Sequence, residues 1–181
     1  MMGSRGEMMR SSFSKMSVAL RRSATLAVAV CALLLIAPLA LGHEDHLPSG
    51  FQKTTVFSGF FLPTAARFAP DGRAFVTEKY GKLFAFDSVS DTTPTLVKDF
   101  ESQLWSYHDH GLLGLAVDPQ FPTRPYVYVL YAKRGNPGGR LSRIEINPAN
   151  NQMVGNELVL IEAWCLVYPS HGVGDLQFGP D

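Results

Sequence analysis

Two short clusters in this 181-residue chain have residue types and spacing that could do chemistry. In the first, His171 follows Pro169-Ser170 and precedes Gly172-Val173-Gly174. An imidazole titrates near neutrality, so it can accept a proton at working pH. Glycines beside it let a planar ligand come close. His171 is therefore a candidate general base; the same local features also fit a surface-loop histidine. The second cluster is Tyr107-His108-Asp109-His110-Gly111. Histidines at i and i+2 share a face only on a strand, where they would supply two metal ligands. No third ligand is fixed by the spacing. A loop that shapes the top of a pocket, with Gly111 opening an inner strand, is the better reading.

Two further stretches have simpler explanations. His43-Glu44-Asp45-His46 reads as a solvated polar tail, although a terminal histidine can bind copper. Gly135-Asn136-Pro137-Gly138-Gly139 lacks a following helix and a Lys-Ser/Thr pair, so it is a turn and not a phosphate loop.

Short alternating strands must position these clusters, since no long 3.6-residue apolar pattern follows residue 42. Strands are predicted over 65–69, 73–78 and 83–87, separated by Pro70-Asp71-Gly72 and Tyr80-Gly81-Lys82. A second unit runs through Gly111 to Val117, Tyr126 to Ala132 (YVYVLYA) and Leu141 to Ile146. A third is expected to start at Leu176. A short apolar strand ending in a proline turn recurs at Phe68, Val117 and Phe178, spaced 49 and 61 residues apart. Repeats of about 40–50 residues built from about four short strands mark propeller blades. Two or three blades do not close a ring, which takes about four to eight. Residues 43–181 are thus expected to be the front of a larger β-propeller and, by themselves, at most partly folded.

Charge separates the chain into two parts. Residues 43–181 carry 11 Lys/Arg against 15 Asp/Glu, a net of −4 that argues against a nucleic-acid surface. Residues 1–42 are basic, with Arg21-Arg22 ahead of an apolar run from Ala24 to Leu41 and small residues at Ala40 and Gly42. That is the pattern of a secretory signal peptide over residues 1–42, cut after Gly42. Pro38 and the small-residue site favour cleavage over an uncleaved membrane anchor, and Met16 gives a start with a more ordinary signal length. A secreted or periplasmic protein is expected, with no membrane attachment after the cut. Cys165 is then the lone cysteine of the mature chain, either free or paired outside it.

Gly111 to Ala132 (GLLGLAVDPQFPTRPYVYVLYA) and Ser170 to Asp181 (SHGVGDLQFGPD) together resemble the glucose/sorbosone dehydrogenase family, and Phe61 to Asp87 fits the same family's first blade. The resemblance implies an all-β fold, a six-bladed β-propeller in the intact protein, of which this chain covers about the first two to three blades. It implies oxidation of a sugar by hydride transfer to pyrroloquinoline quinone, with calcium bound by later blades and an external electron acceptor. It places His171 at the position of the base that takes the proton of the anomeric hydroxyl. It also places Asp109 where a glutamine touches the quinone; a carboxylate accepts hydrogen bonds and cannot donate them. The alternative is a propeller that binds carbohydrate or protein without cofactor chemistry.

Overall fold

The computed structural model describes residues 47–135, 138–165 and 171–180, without the side chains of 163–165. The proposed signal, residues 1–42, lies outside the described residues, and so does the pairing of Cys165. The chain divides into Met1–Lys53 and Thr54–Asp181. The first unit is described only from Leu47, where a turn returns the Phe51 N–H to the Pro48 carbonyl at 3.1 Å. Among the described residues, no helix is long and apolar enough to cross a membrane.

The second unit is all-β. Its strands are β1 (Pro63–Phe68), β2 (Ala74–Glu78), β3 (Lys82–Phe86), β4 (Thr95–Asp99), β5 (Leu112–Val117), β6 (Tyr126–Ala132), β7 (Gly138–Ile146) and β8 (Met153–Cys165). They form two four-stranded antiparallel meanders, ordered β1-β2-β3-β4 and β5-β6-β7-β8. Each is one propeller blade, with the first strand innermost. The strands predicted for the first two units are all present. The sequence reading missed the outer strand of each blade, β4 and β8. Conversely, residues 171–180 contain no strand where a third blade was expected to open.

Period-two alternation decides what each strand buries. In β6, Val127, Val129 and Tyr131 enter the core shared with the first blade, whereas Leu130 and Ala132 face the other way. In β2, Phe75 joins the shared core and Ala74 and Val76 turn away from it. A register shift between Leu112 and Gly114 breaks the alternation in β5. Leu112 and Leu115 therefore both reach the shared core, with Leu113 on the far side.

The two blades are joined by more than apolar packing. Thr64 Oγ1 donates to the Leu112 carbonyl at 2.6 Å, tying β1 to β5. Away from the inner strands, Arg73 donates to Asn151 Oδ1 at 2.6 Å and Asn151 Nδ2 donates to Asp87 Oδ1 at 2.8 Å. Asn151 is buried, so these partners are what make its burial tolerable.

Candidate active site

The connection from β4 to β5 carries the second chemical cluster. It ends in a tight turn in which the His110 N–H donates to the Tyr107 carbonyl at 3.1 Å. His108 holds the left-handed conformation that the turn needs, with φ of 49°. The turn rests on the first blade: Lys79 Nζ donates to the His108 carbonyl, and the Leu112 N–H donates to the Lys79 carbonyl at 3.0 Å. Gly111 lies against the same residue. A Cβ there would sit 2.6 Å from the Lys79 carbonyl oxygen and 2.8 Å from its Cγ. Only glycine lets the second blade start this close to the first.

The two histidines of the turn do not converge. His108 is exposed, whereas His110 is fully buried and stacks on Trp105 with ring centroids 4.6 Å apart and planes 15° from parallel. Among the described residues, no group of three or more His, Cys, Asp or Glu side chains could hold a metal ion. The cluster lies on the loop between β4 and β5.

Residues 171–180 bring the first cluster to the second. A Cβ on Gly172 would run into the Asp109 carbonyl oxygen and come within 3.1 Å of Leu113 Cδ1. One step further, a Cβ on Gly114 would meet Leu130 Cβ at 2.7 Å and the Gly174 carbonyl oxygen at 2.9 Å. Val173 is buried against Leu130 and Ala132. Asp175 then pairs with Arg67 of β1, on the far side of β5. The Leu176 N–H holds the Asp175 carboxyl below the usual carboxylate range, assisted by Gln177 and Arg67. His171 is exposed and stands one residue from the contact with Asp109. The segments that carry the candidate base and the candidate binding carboxylate, 62 positions apart in sequence, thus touch through backbone and form one rim.

The spacing of Gly-Leu-Leu-Gly has a physical cause in this arrangement: Gly111 admits the first blade and Gly114 admits the segment carrying His171. Sequence reasoning missed Lys79, whose turn supports the site from another blade, and no local signal marked it. Hollows elsewhere in the described chain are separate from this rim. One of about 210 Å³ is lined by Ala116, Tyr128, Leu141, Leu160, Leu176, Gln177 and Phe178.

The model of the family described as glucose/sorbosone dehydrogenase matches residues 60–181, which spans both blades and the His171 segment. The chain belongs to the glucose/sorbosone dehydrogenase family. It is similar to quinoprotein glucose dehydrogenase B of Acinetobacter calcoaceticus, at 30% identity over 86 residues, covering 44% of this chain and 17% of that protein. Among solved structures it resembles an oxidoreductase described as a glucose dehydrogenase from Thermus thermophilus. That match has 26% identity and a TM-score of 0.58, covering 69% of this chain and 36% of the other. It also shares its fold with the PQQ-bound aldose sugar dehydrogenase of Streptomyces coelicolor, at 18% identity and a TM-score of 0.53, covering 61% and 33% of the two chains. The chain spans about a third of the length of these solved structures.

Pyrroloquinoline quinone carries carboxylates that call for cationic or N–H donors. At the rim Asp109 only accepts, whereas the Lys79 ammonium gives one of its three donors to the His108 carbonyl. Asp109 therefore offers no donor to a quinone's carboxylates, and a cationic contact from this rim would come from Lys79.

Proposed function

We propose that this chain is part of an exported sugar dehydrogenase, cut after Gly42, in which His171 is the base. The observation that carries the reading is the contact of the segment bearing His171 with the Asp109 backbone, in a chain of this family. His171 would accept the proton of a sugar's anomeric hydroxyl. Charge left on that oxygen loosens the hydride on the same carbon, and the aldose leaves as a lactone. Positioned proton transfer of this kind is worth about 10²–10⁴-fold in rate. Pyrroloquinoline quinone is the proposed hydride acceptor and calcium its companion ion. An external acceptor takes the electrons onward. The relatives' described activities, quinoprotein glucose dehydrogenase and aldose sugar dehydrogenase, support this choice of substrate and cofactor.

The test uses the gene product at its full encoded length, supplied with quinone and calcium and assayed by dye reduction over an aldose panel. Turnover by wild type and a loss of at least about 10²-fold in kcat for His171→Ala are expected. No turnover, or equal turnover by the variant, rejects the mechanism.

A second reading, an extracellular carbohydrate- or protein-binding propeller without redox chemistry, is favoured by Asp109, which supplies no donor to a quinone. Quinone titration of the same protein decides between them.

A further inference from the structure

We propose that Lys79, on the turn between β2 and β3, is a positioning residue for the candidate base: its ammonium holds the 107–110 turn, and the backbone of that turn sets the segment carrying His171. The inference rests on the reading of His171 as the base and adds to it a residue from another blade.

The main chain of Lys79 is held from both blades. Its N–H donates to the Leu62 carbonyl at 2.9 Å, and its carbonyl accepts the Leu112 N–H at 3.0 Å. Leu62 is itself fixed. It has the left-handed conformation, with φ of 52°, and the N–H of Phe61 before it donates to the buried Glu78 carboxylate at 2.7 Å. A left-handed leucine is costly and persists only where its surroundings over-determine it. Lys79 thus projects from a rigid anchor where the two blades meet.

The side chain carries that rigidity to the turn. A Cβ on Gly111 would come within 2.8 Å of Lys79 Cγ, so the stem of the lysine packs against the Gly111 backbone. Beyond it the ammonium donates to the His108 carbonyl. His108 needs such a hold, because non-glycine residues seldom adopt its φ of 49°. This charge-assisted hydrogen bond fixes the peptide that leads into Asp109. The Asp109 carbonyl in turn abuts Gly172, next to His171. From the His108 carbonyl onward every contact is backbone against backbone. A shift of the turn therefore reaches the His171 segment with no flexible side chain to absorb it.

Lys79→Met keeps the apolar stem and removes the donor. In the full-length gene product, supplied with quinone and calcium, it is expected to lower kcat for dye reduction about tenfold, as a displaced catalytic group does. Lys79→Arg can still donate to the carbonyl and should recover most of that loss. Circular dichroism and the thermal transition check that each variant folds. The decisive measurement is the double variant. If Lys79 acts through His171, adding Lys79→Met to His171→Ala costs nothing more. A further loss of about tenfold would mean that Lys79 acts on a ligand by itself, and overturns the proposal; so would full activity in Lys79→Met. Two readouts need no turnover. Amide exchange in residues 171–174 should quicken in Lys79→Met, and the His171 ring resonances should move, both returning in Lys79→Arg. Those changes without dye reduction by wild type would leave the positioning standing and remove the dehydrogenase reading. Dye reduction by wild type, with exchange and resonances unchanged in Lys79→Met, would do the reverse.

Discussion

The two faces of the second blade are built from the same strands and have different environments. One face meets the first blade: Leu115, Val127, Val129 and Ile144 are wholly buried in a core that also takes Phe75, Leu83 and Phe100 from that blade. The other face is covered at its inner edge only. Val173 and Leu176 lie over Leu113, Leu130 and Leu141, and Phe178 packs edge-on against Tyr128 at 5.2 Å. Further out, on the outer strand, Leu158, Val159, Leu160 and Ile161 of β8 are 37–50% exposed, on both of its sides. The first blade shows the contrast from the other direction. Its outward face is closed by the chain that precedes β1, with Phe57 stacked on Phe86 at 4.1 Å and Phe60 tilted against Phe84 at 5.8 Å. A blade is thus stable on whichever face another element covers, and the segment carrying the candidate base is the partial cover of the second.

The largest expected effect tests that contrast directly. Residues 43–181 expressed alone should lack a cooperative thermal transition, because the β8 side of the second blade is only partly covered among the described residues. A sharp transition with a sheet spectrum from a monomer would show that two blades suffice. In the full-length gene product, Leu115→Ala should cost about 2–5 kcal/mol, as for other fully buried leucines. In the isolated chain, where the Leu160 side chain is exposed, Leu160→Ala should leave the circular dichroism unchanged, whereas Leu115→Ala should weaken its sheet signal. Comparable losses at the two positions would mean that the faces are equivalent.

Gly114→Ala comes next, at about 1–3 kcal/mol, because its methyl group must displace Leu130 or the Gly174 carbonyl. Its diagnostic signature is faster amide exchange in residues 171–180, which a simple core defect in β5 would not produce. A smaller effect is expected for Arg67→Ala. The pair with Asp175 is 30% and 51% exposed at its two side chains, which limits it to about 0.2–1 kcal/mol, screened by salt.

The smallest effect is a pH dependence at β8. Lys133 and then Arg140 hydrogen-bond to Glu162 and hold its carboxyl down to about 2 from an ordinary 4.5. A carboxyl depressed by folding contributes stability above its unfolded pKa and loses it as pH falls through the folded value. The loss should therefore fall between pH 4.5 and about 2, and Glu162→Gln should flatten that part of the pH–stability curve. A curve unchanged by the substitution would show that the pair is dispersed in solvent.

Much of this architecture was legible in the chain. Alternation in YVYVLYA and the turn residues Pro70-Asp71-Gly72 specify strands and hairpins because side chains on a strand have only two sides to face. The outer strands were harder to see. Thr95–Asp99 has little apolar content to mark it, and in β8 consecutive residues Leu158 to Ile161 are all apolar, so neither alternates cleanly. Leu176 to Phe178 carries the strand pattern and forms no strand among the described residues, since a strand needs a neighbour to pair with.

The candidate site divides the same way. Residue type marked His171 and the glycines around it, because it carries proton chemistry and conformational freedom, and the family resemblance marked Asp109. That Gly172 abuts the Asp109 carbonyl, that Lys79 supports the turn from another blade, and that Tyr107 is exposed while His110 is buried were decided only by tertiary structure. The first two of those contacts join residues 63 and 29 positions apart in the chain; the segment after β8 folding back over the second blade makes the one, and the packing of the two blades makes the other.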